Sequence, residues 1–316
     1  MKKIVSMLVA VMMLGALCLS FAGCSTEVLD NLGVTTDYSV GVCQLMKHDA
    51  LDAATQGFQD ALNEKMEEAG KTVSINVQVA GETDKCTTIV NTFVASEVDL
   101  IMGNATPALL AAANTTADIP VLGTSVTDYK DTFNGTIPAN VSGTSDAVPF
   151  DEQAQMMIDT IGLTEGDKVG VLYCANETNS KIQYEAVKAL FEEKGIVVKE
   201  YKFSETTELN GLVETMTSEV KAVYIPSDNT VAQNDAIVGA ICTEKNVPIY
   251  TSYGGNVCYA SLAIDYYQLG YETGIMAAEI LLGQKNVADI EVMTLTPTVS
   301  YNEELCQKLG ITVPEN

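Results

Sequence analysis

The sequence contains no arginine and no tryptophan, and it has one histidine, His48. All 17 basic residues are lysines, against 42 acidic residues, so the chain has a formal net charge of −25. An acidic surface of this kind repels phosphate backbones, so nucleic acid is not an expected partner. Without arginine the chain also lacks a bidentate guanidinium clamp. An anionic ligand would have to be held by backbone N–H groups and by Ser, Thr or Gln side chains.

Motifs of catalytic and metal-binding sites are missing as well. A Ser-His-Asp triad would depend on His48, and the sequence has no G-x-S-x-G elbow, no P-loop and no G-x-G-x-x-G motif after a strand. No two cysteines have the spacing of zinc ligands. We therefore expect no enzyme, no metal site and no cofactor.

The N-terminus has the features of a secretory signal. Two lysines precede an apolar run over residues 4–21, and Ala22-Gly23-Cys24 follows. Small residues before Cys24 resemble a bacterial lipobox, in which the cysteine thiol is acylated and becomes the new N-terminus. The alternative is an uncleaved membrane helix, but no stop-transfer flank follows the run. We predict a lipoprotein signal peptide over residues 1–24, palmitate or a similar acyl chain on Cys24, and a linker over residues 25–37.

Six cysteines follow Cys24 and are scattered along the chain. They are Cys43, Cys86, Cys174, Cys242, Cys258 and Cys306. An even number in an exported domain is compatible with disulfides. Buried thiols are favoured, because a chain of this length can bury a core without crosslinks and free cysteine packs like a small apolar residue.

Strand-like and helix-like segments alternate after residue 37, and the pattern occurs twice. Strands are predicted in the first half at residues 38–45, 73–80, 99–104 and 120–126, with helices at 50–69, 85–97 and 107–116. Strands are predicted in the second half at residues 168–174, 197–203, 222–228 and 248–253, with a helix at 180–194. Such alternation indicates parallel sheets with helices on both faces. We predict an α/β fold with two similar doubly wound lobes, joined by a hinge and separated by a ligand cleft.

Three crossovers are expected between the lobes, near residues 143–147, 262–266 and 290–297. An additional helix from about residue 266 to 282 is expected to return to the first lobe. The first lobe would then contain residues 38–145 plus about 265–292, and the second lobe residues 146–264 plus about 293–316.

The candidate ligand contacts are polar residues that follow the predicted strands, because ligands of such folds bind beyond the carboxyl ends of parallel strands. These candidates are Gln44, His48, Asn104, Thr106, Ser125, Thr127, Asp128, Asp146, Asn176, Asn179, Ser180, Asp228, Asn229, Tyr253 and Asp265. Several of them precede helices, whose free N–H groups and positive dipole ends favour a carboxylate. An ammonium group would need an acid. A carboxylate site next to an ammonium site would suit an α-amino acid as the ligand.

Each group of the amino acid has predicted partners. The carboxylate is assigned to Thr106, Ser125 and Thr127, and the amine to Asp228, Asn229 and Asp265, with Asp146 as another candidate. A structural interpretation stays open, since Ser, Thr, Asn and Asp before helices are ordinary N-caps. His48 either contacts the ligand or lies on the surface. The tyrosines at 253, 266 and 267 either stack on the ligand or belong to the core.

Several motifs over residues 38–314 resemble the tryptophan/tyrosine transporter substrate-binding proteins. They include Val42-Cys43-Gln44-Leu45, His48-Asp49-Ala50-Leu51-Asp52, Pro226-Ser227-Asp228-Asn229-Thr230-Val231 and Asp265-Tyr266-Tyr267-Gln268-Leu269-Gly270. The resemblance implies a type I periplasmic-binding fold and a lipid-anchored, extracytoplasmic binding protein of an ABC importer. Its ligand would be a small amino acid, preferably aromatic. Its partners would be an ABC permease with its ATPase, and the protein would be a monomer.

Two other functions remain open at this point. Two-lobed binding folds also serve as sensor subunits of signalling receptors, and the ligand could be a sugar or a nucleoside instead of an amino acid.

Overall fold

A computed structural model describes residues 36–314 of the protein. The predicted signal peptide, Cys24 and nearly all of the predicted linker lie outside the described residues. Among residues 36–314, no helix is both long and apolar enough to span a bilayer.

The first half of the described chain alternates strands and helices. Its elements are β1 (Tyr38–Gln44), α1 (Asp49–Glu68), β2 (Val73–Val79), α2 (Thr83–Ala95), β3 (Leu100–Asn104), α3 (Thr106–Thr115), β4 (Val121–Val126), α4 (Tyr129–Thr132) and β5 (Val141–Ser145). Helix α1 shows why the pattern folds in this way: its apolar residues recur at three- and four-residue steps, and Leu51, Phe58, Leu62 and Met66 are all buried on one face.

The second half repeats this order and then adds a C-terminal extension. Its elements are α5 (Phe150–Ile161), β6 (Lys168–Cys174), α6 (Thr178–Glu193), β7 (Val197–Phe203), α7 (Thr206–Thr217), β8 (Ala222–Ile225), α8 (Asn229–Gln233), α9 (Asp235–Glu244), β9 (Ile249–Thr251) and β10 (Ala260–Ala263). The extension consists of α10 (Tyr266–Leu281), a 3₁₀ turn (Val287–Asp289), β11 (Met293–Thr294), β12 (Thr298–Tyr301) and α11 (Glu303–Leu309).

The strands form two six-stranded sheets of matching order. The first sheet runs β11-β5-β4-β3-β1-β2, and the second runs β12-β10-β9-β8-β6-β7. Every pairing is parallel except that of β12 with β10. The predicted fold class, two α/β lobes with parallel sheets, is confirmed.

The chain passes between the lobes three times, after β5, after β10 and after β11. The last passage lies between β11 and β12, within the predicted crossover at residues 290–297. Met293 and Thr294 pair with Thr144 and Ser145 of β5, so they still belong to the first sheet. The second lobe resumes only with β12. The sequence does not reveal that β11 belongs to the first lobe, because a two-residue strand carries too little pattern to be recognised.

Helix α10 packs against α1 on the first lobe at a distance that only glycine permits. A Cβ atom at Gly270 would overlap the carbonyl oxygen of Ala54, and one at Gly57 would overlap that of Tyr267. A third glycine, Gly274, faces Phe58 in the same way. Helix α1 begins at Asp49, directly after its N-cap His48, and α10 begins at Tyr266, so this close packing fixes the relative positions of both N-terminal ends.

All six cysteines within residues 36–314 are buried, free thiols. This agrees with the interpretation favoured from the sequence. The thiols at 43 and 86 belong to the core of the first lobe, and those at 174, 242, 258 and 306 to the cores of the second.

Candidate functional site

The carboxyl ends of the two sheets face each other across a narrow cavity. The cavity is lined by His48, Ala50, Leu51, Ser125, Asp146, Ser227, Asp228, Asn229, Ala232, Tyr253 and Tyr266. The lining comes from both lobes: from the start of α1, from the ends of β4 and β5, from the start of α8, from the loop after β9 and from the start of α10. This is the position expected for a ligand of a fold with parallel sheets.

A wider cleft of about 420 Å³ continues from the cavity towards the surface. It shares His48, Ala50, Ala232, Tyr253 and Tyr266 with the cavity, and its outer rim adds Lys47, Asp49, Gln233, Asp235 and Gly255. Two tyrosine rings thus line both the cavity and its entrance.

Three polar atoms at the cavity are buried without a hydrogen-bond partner. They are Ser125 Oγ, Asp146 Oδ1 and the hydroxyl of Tyr253. Buried polar atoms are nearly always paired in folded proteins, because leaving one unpaired costs about 1–3 kcal/mol. Three such atoms at one cavity are available to bond with a ligand.

Asp146 is the central acid of this site. Its residue is only 5 % exposed, and no lysine within residues 36–314 pairs with it. The Tyr266 hydroxyl donates to Oδ2 at 2.8 Å. Burial raises the pKa of Asp146, and the hydroxyls of Tyr266 and Thr127 offset only part of that increase. A buried carboxylate with one free oxygen is suited to bind an ammonium group.

Ser125 has an unusual backbone conformation at the end of β4. Its φ angle is +57°, a region that serine rarely adopts. Strained residues of this kind concentrate at binding sites, where the surrounding structure holds them in place. Ser125 supplies a buried hydroxyl to the cavity, and Thr127 follows two residues later, also buried.

Two side-chain hydrogen bonds cross between the lobes beside the cavity. His48 Nε2 lies 3.2 Å from Asn229 Oδ1, and Gln183 Nε2 donates to Thr127 Oγ1 at 3.1 Å. Burial lowers the pKa of His48, although Asn229 and the charges of Glu177, Asp52 and Asp49 act in the opposite direction. These bonds describe a closed arrangement of the lobes.

Asp228 lines the cavity, but its carboxylate is already engaged. Oδ1 accepts from the backbone N–H of Val231 at 2.8 Å as the N-cap of α8, and Oδ2 accepts from that of Cys174 at 2.7 Å. Burial and the neighbouring charge of Glu177 raise the pKa of Asp228 to about 8, against the opposing hydrogen bonds. Both carboxylate oxygens of Asp228 therefore have a structural role, and neither is left free for a ligand.

Three predicted contacts form hydrogen bonds inside one lobe, and a fourth lies beside a carboxylate there. In the first lobe, Gln44 Nε2 donates to Asp52 Oδ1 and its Oε1 accepts from Thr55, while Asn104 Nδ2 donates to the Leu51 carbonyl. In the second lobe, Asn179 Nδ2 donates to the Ser227 carbonyl, and the Ser180 hydroxyl lies beside Asp228 and lowers its pKa. None of these four residues lines the cavity.

Two predicted acids are exposed N-caps away from the cavity. Asp128 accepts from the Asp131 N–H at the start of α4, and Asp265 accepts from the Gln268 N–H at the start of α10. Of the three acids considered for the ligand amine, Asp265 thus lies away from the cavity, whereas Asp146 and Asp228 line it. Tyr267 points to the surface, where its hydroxyl donates to Asp60, so it cannot stack on a ligand in the cavity.

Thr106 and Asn176 line a second opening between the lobes. It has a volume of about 450 Å³ and is formed by Thr83, Asp84, Thr87, Thr106, Pro107, Leu110, Ala111, Asn114, Asn176 and Thr178. Thr106, predicted to bind the ligand carboxylate, therefore faces the second opening and not the central cavity.

Sequence reasoning missed three residues of the site. Ser227 lines the cavity, Gln183 bonds across the lobes, and Glu177 holds the start of α8. Gln183 lies in the middle of helix α6, where the only sequence signal is its helical spacing from the other buried residues of that helix. In residues 36–314, no group of three or more His, Cys, Asp or Glu side chains is placed to hold a metal ion.

Comparisons with known proteins agree on one family. Residues 39–316 match the family described as ABC transporter substrate binding protein. The chain is 35% identical to a tyrosine-binding protein of Clostridioides difficile, over 98% of this chain and 93% of that protein. It is also similar to an ABC domain from Streptococcus pneumonia in complex with L-Trp, with a TM-score of 0.80 and 33% identity over 89% of this chain and 97% of that one.

A third relative shows which arrangement the lobes have. It is a ligand-free, open substrate-binding protein from Clostridium difficile with adhesive properties, 33% identical over 88% of this chain and 97% of that one. Its TM-score is 0.66, against 0.80 for the L-Trp complex at equal identity. The lobes of this chain are therefore arranged more like those of the ligand-bound relative.

Proposed function

The chain belongs to the ABC transporter substrate-binding proteins, and from this premise we propose that it captures an aromatic amino acid between its two lobes. The bound amino acid is then delivered to a membrane permease driven by its ATPase, and no bond is made or broken. Two relatives support the ligand class, the tyrosine-binding protein and the L-Trp complex.

The observation that carries this proposal is the set of unpaired atoms at the cavity. Asp146 Oδ1 takes the ammonium group of the amino acid, and Ser125 Oγ takes its carboxylate. Tyr253 and Tyr266 enclose the side chain where the cavity opens into the cleft. The Tyr253 hydroxyl is free to bond a phenol or an indole N–H, so tyrosine and tryptophan are preferred over phenylalanine.

A binding screen tests the proposal. We expect L-tryptophan or L-tyrosine to raise the unfolding temperature of the purified protein, since a ligand at one hundred times its Kd adds about 2.7 kcal/mol of stability. Indole-3-propionate lacks the ammonium group and is expected to bind much more weakly than L-tryptophan. Stabilisation by a sugar or a nucleoside, with none by amino acids, would contradict the proposal.

The affinity is expected to fall as the solution is acidified. In the closed arrangement the pKa of His48 lies below its ordinary value of 6.5, so the closed form binds fewer protons than an open form with a hydrated His48. Closure is therefore favoured above the ordinary value and weakened as pH falls through it. Calorimetry of L-tryptophan binding across this range measures the effect. An unchanged pH dependence in His48→Asn would show that another group is responsible.

We also propose that the protein is exported and anchored to the extracytoplasmic face of the membrane through an acyl chain on Cys24. The lipobox-like Ala22-Gly23-Cys24 after the apolar run supports this. Cys24→Ala is expected to remain unprocessed and to incorporate no labelled palmitate, whereas Cys18→Ala, within the apolar run, is expected to behave like the wild type. Normal processing and labelling of Cys24→Ala would disprove the anchor.

A further inference from the structure

Glu177 is a buried acid whose carboxylate has no positive partner. It is 2 % exposed, and no lysine within the described part of the chain lies in ion-pair distance of it. It precedes α6 but does not cap that helix. Its carboxylate instead accepts four hydrogen bonds from the first two residues of α8.

The four bonds come from backbone and side chain together. Oε2 accepts from the backbone N–H of Asn229 at 2.9 Å and from its Nδ2 at 2.6 Å. Oε1 accepts from the backbone N–H of Thr230 at 2.8 Å and from its hydroxyl at 2.7 Å. Hydrogen bonds to a charged, buried acceptor are among the stronger ones in proteins, so Asn229 is held firmly.

This arrangement determines which way the Asn229 amide points. A carboxylate can only accept, so the amide nitrogen must face Glu177 and the amide oxygen must face the other way. That oxygen lies 3.2 Å from His48 Nε2, which belongs to the opposite lobe. His48 must therefore carry its proton on Nε2 and donate across the cleft.

We propose that Glu177 is a positioning residue for a closing latch, formed by Glu177, Asn229 and His48, that slows release of the bound ligand. Both His48 and Asn229 line the cavity, so the bond between them joins the two lobes at the cavity wall. Glu177 does not line the ligand cavity, and its hydrogen bonds act by orienting Asn229, while its charge also acts on His48. The latch rests on the proposed function in that the ligand occupies this cavity.

The test combines Glu177→Gln with substitutions of the other two latch residues, Asn229 and His48. The amide of the variant would place an N–H group against the donors of α8, so Asn229 loses its orientation. We expect L-tryptophan or L-tyrosine to dissociate roughly two- to tenfold faster in stopped-flow measurements, the effect of about one hydrogen bond. Association is expected to change little. Glu193→Gln makes the same replacement at an exposed position of α6 and is expected to behave like the wild type.

A double-mutant cycle distinguishes positioning from a general effect on folding. If Glu177 acts through the bond to His48, Glu177→Gln will not accelerate release further in a His48→Ala background. Equal acceleration in both backgrounds would overturn the latch and leave Glu177 a structural residue. If Glu177→Gln does not fold, Asn229→Ala serves in the same cycle, since the bonds of Glu177 to Thr230 remain.

Small-angle scattering without ligand separates this proposal from the proposed function. Ligand-free Glu177→Gln and Asn229→Ala are expected to have a larger radius of gyration than the wild type, because closure loses its latch. If the wild type binds neither amino acid, the proposed function is contradicted, and the latch is then tested by scattering alone. If the two variants then have the radius of gyration of the wild type, the latch is overturned as well.

Discussion

Replacing Asp146 by asparagine is expected to remove most of the affinity for L-tryptophan and L-tyrosine while the protein stays folded. Among residues 36–314, the free Oδ1 is the only unpaired carboxylate oxygen at the cavity, and the ligand ammonium would lose its charged partner in a dry site. Losing one partner of a buried charge pair costs about 2–5 kcal/mol, roughly a thirtyfold or larger increase in Kd. Calorimetry measures the change directly.

The same substitution at Asp265 is the matched control. Asp265 is exposed and caps α10, and asparagine is an equally good N-cap, so Asp265→Asn is expected to bind and to unfold like the wild type. Asp146→Asn also removes a buried acid that has no cation beside it, so its ligand-free stability is expected to be equal to or above that of the wild type. Wild-type affinity in Asp146→Asn would disprove the amine assignment.

Gly270→Ala is expected to be the most destabilising small substitution in the first lobe. The added methyl would overlap the backbone carbonyl of Ala54, which cannot rotate away as a flexible side chain could. Helices α1 and α10 would have to separate, at a cost of about 3 kcal/mol in the free energy of unfolding. Affinity is expected to fall too, because the separation displaces His48 and Tyr266 relative to each other.

A second glycine makes this prediction specific. Gly211 lies in the exposed part of α7, and no atom lies within 4 Å of a Cβ at that position. Gly211→Ala is expected to stabilise the protein by up to about 1 kcal/mol, since alanine favours the helix over glycine. Chemical denaturation of both variants measures the contrast. If Gly270→Ala and Gly211→Ala were similarly stable, helices α1 and α10 would tolerate a wider spacing.

The alternation of strands and helices was sufficient to predict two α/β lobes, because apolar periodicity reports burial directly. It also predicted that polar residues at strand ends would meet in a cleft, and Ser125, Asp146, Asn229 and Tyr253 do line the cavity. Their chemical roles were harder to predict. Asp146, Asp228 and Asp265 occupy similar positions in the sequence, yet only Asp146 has a free oxygen at the cavity.

The reason lies in competition between neighbouring backbone groups and the ligand. A helix N-terminus has free N–H groups, and an acid just before it is usually drawn to them, as Asp228 and Asp265 are. Asp146 lies four residues before α5, too far to cap it, so it stays available. The role of Glu177 could not be predicted from the sequence, because the helix whose N–H groups it binds begins 52 residues further along the chain. Such long-range pairing leaves no local pattern.

The threading of the chain has a consequence for how the protein is made. The first lobe requires α10 to cover α1 and β11 to complete its sheet, and both follow the strands β6 to β10 of the second lobe in the chain. Domains usually fold in the order in which a ribosome produces them. Here the first lobe cannot finish until residue 294 has been added, so the nascent chain keeps an unfinished apolar face while β6 to β10 of the second lobe are synthesised. A chaperone or an export channel that needs an incompletely folded chain therefore has that period of synthesis in which to engage it.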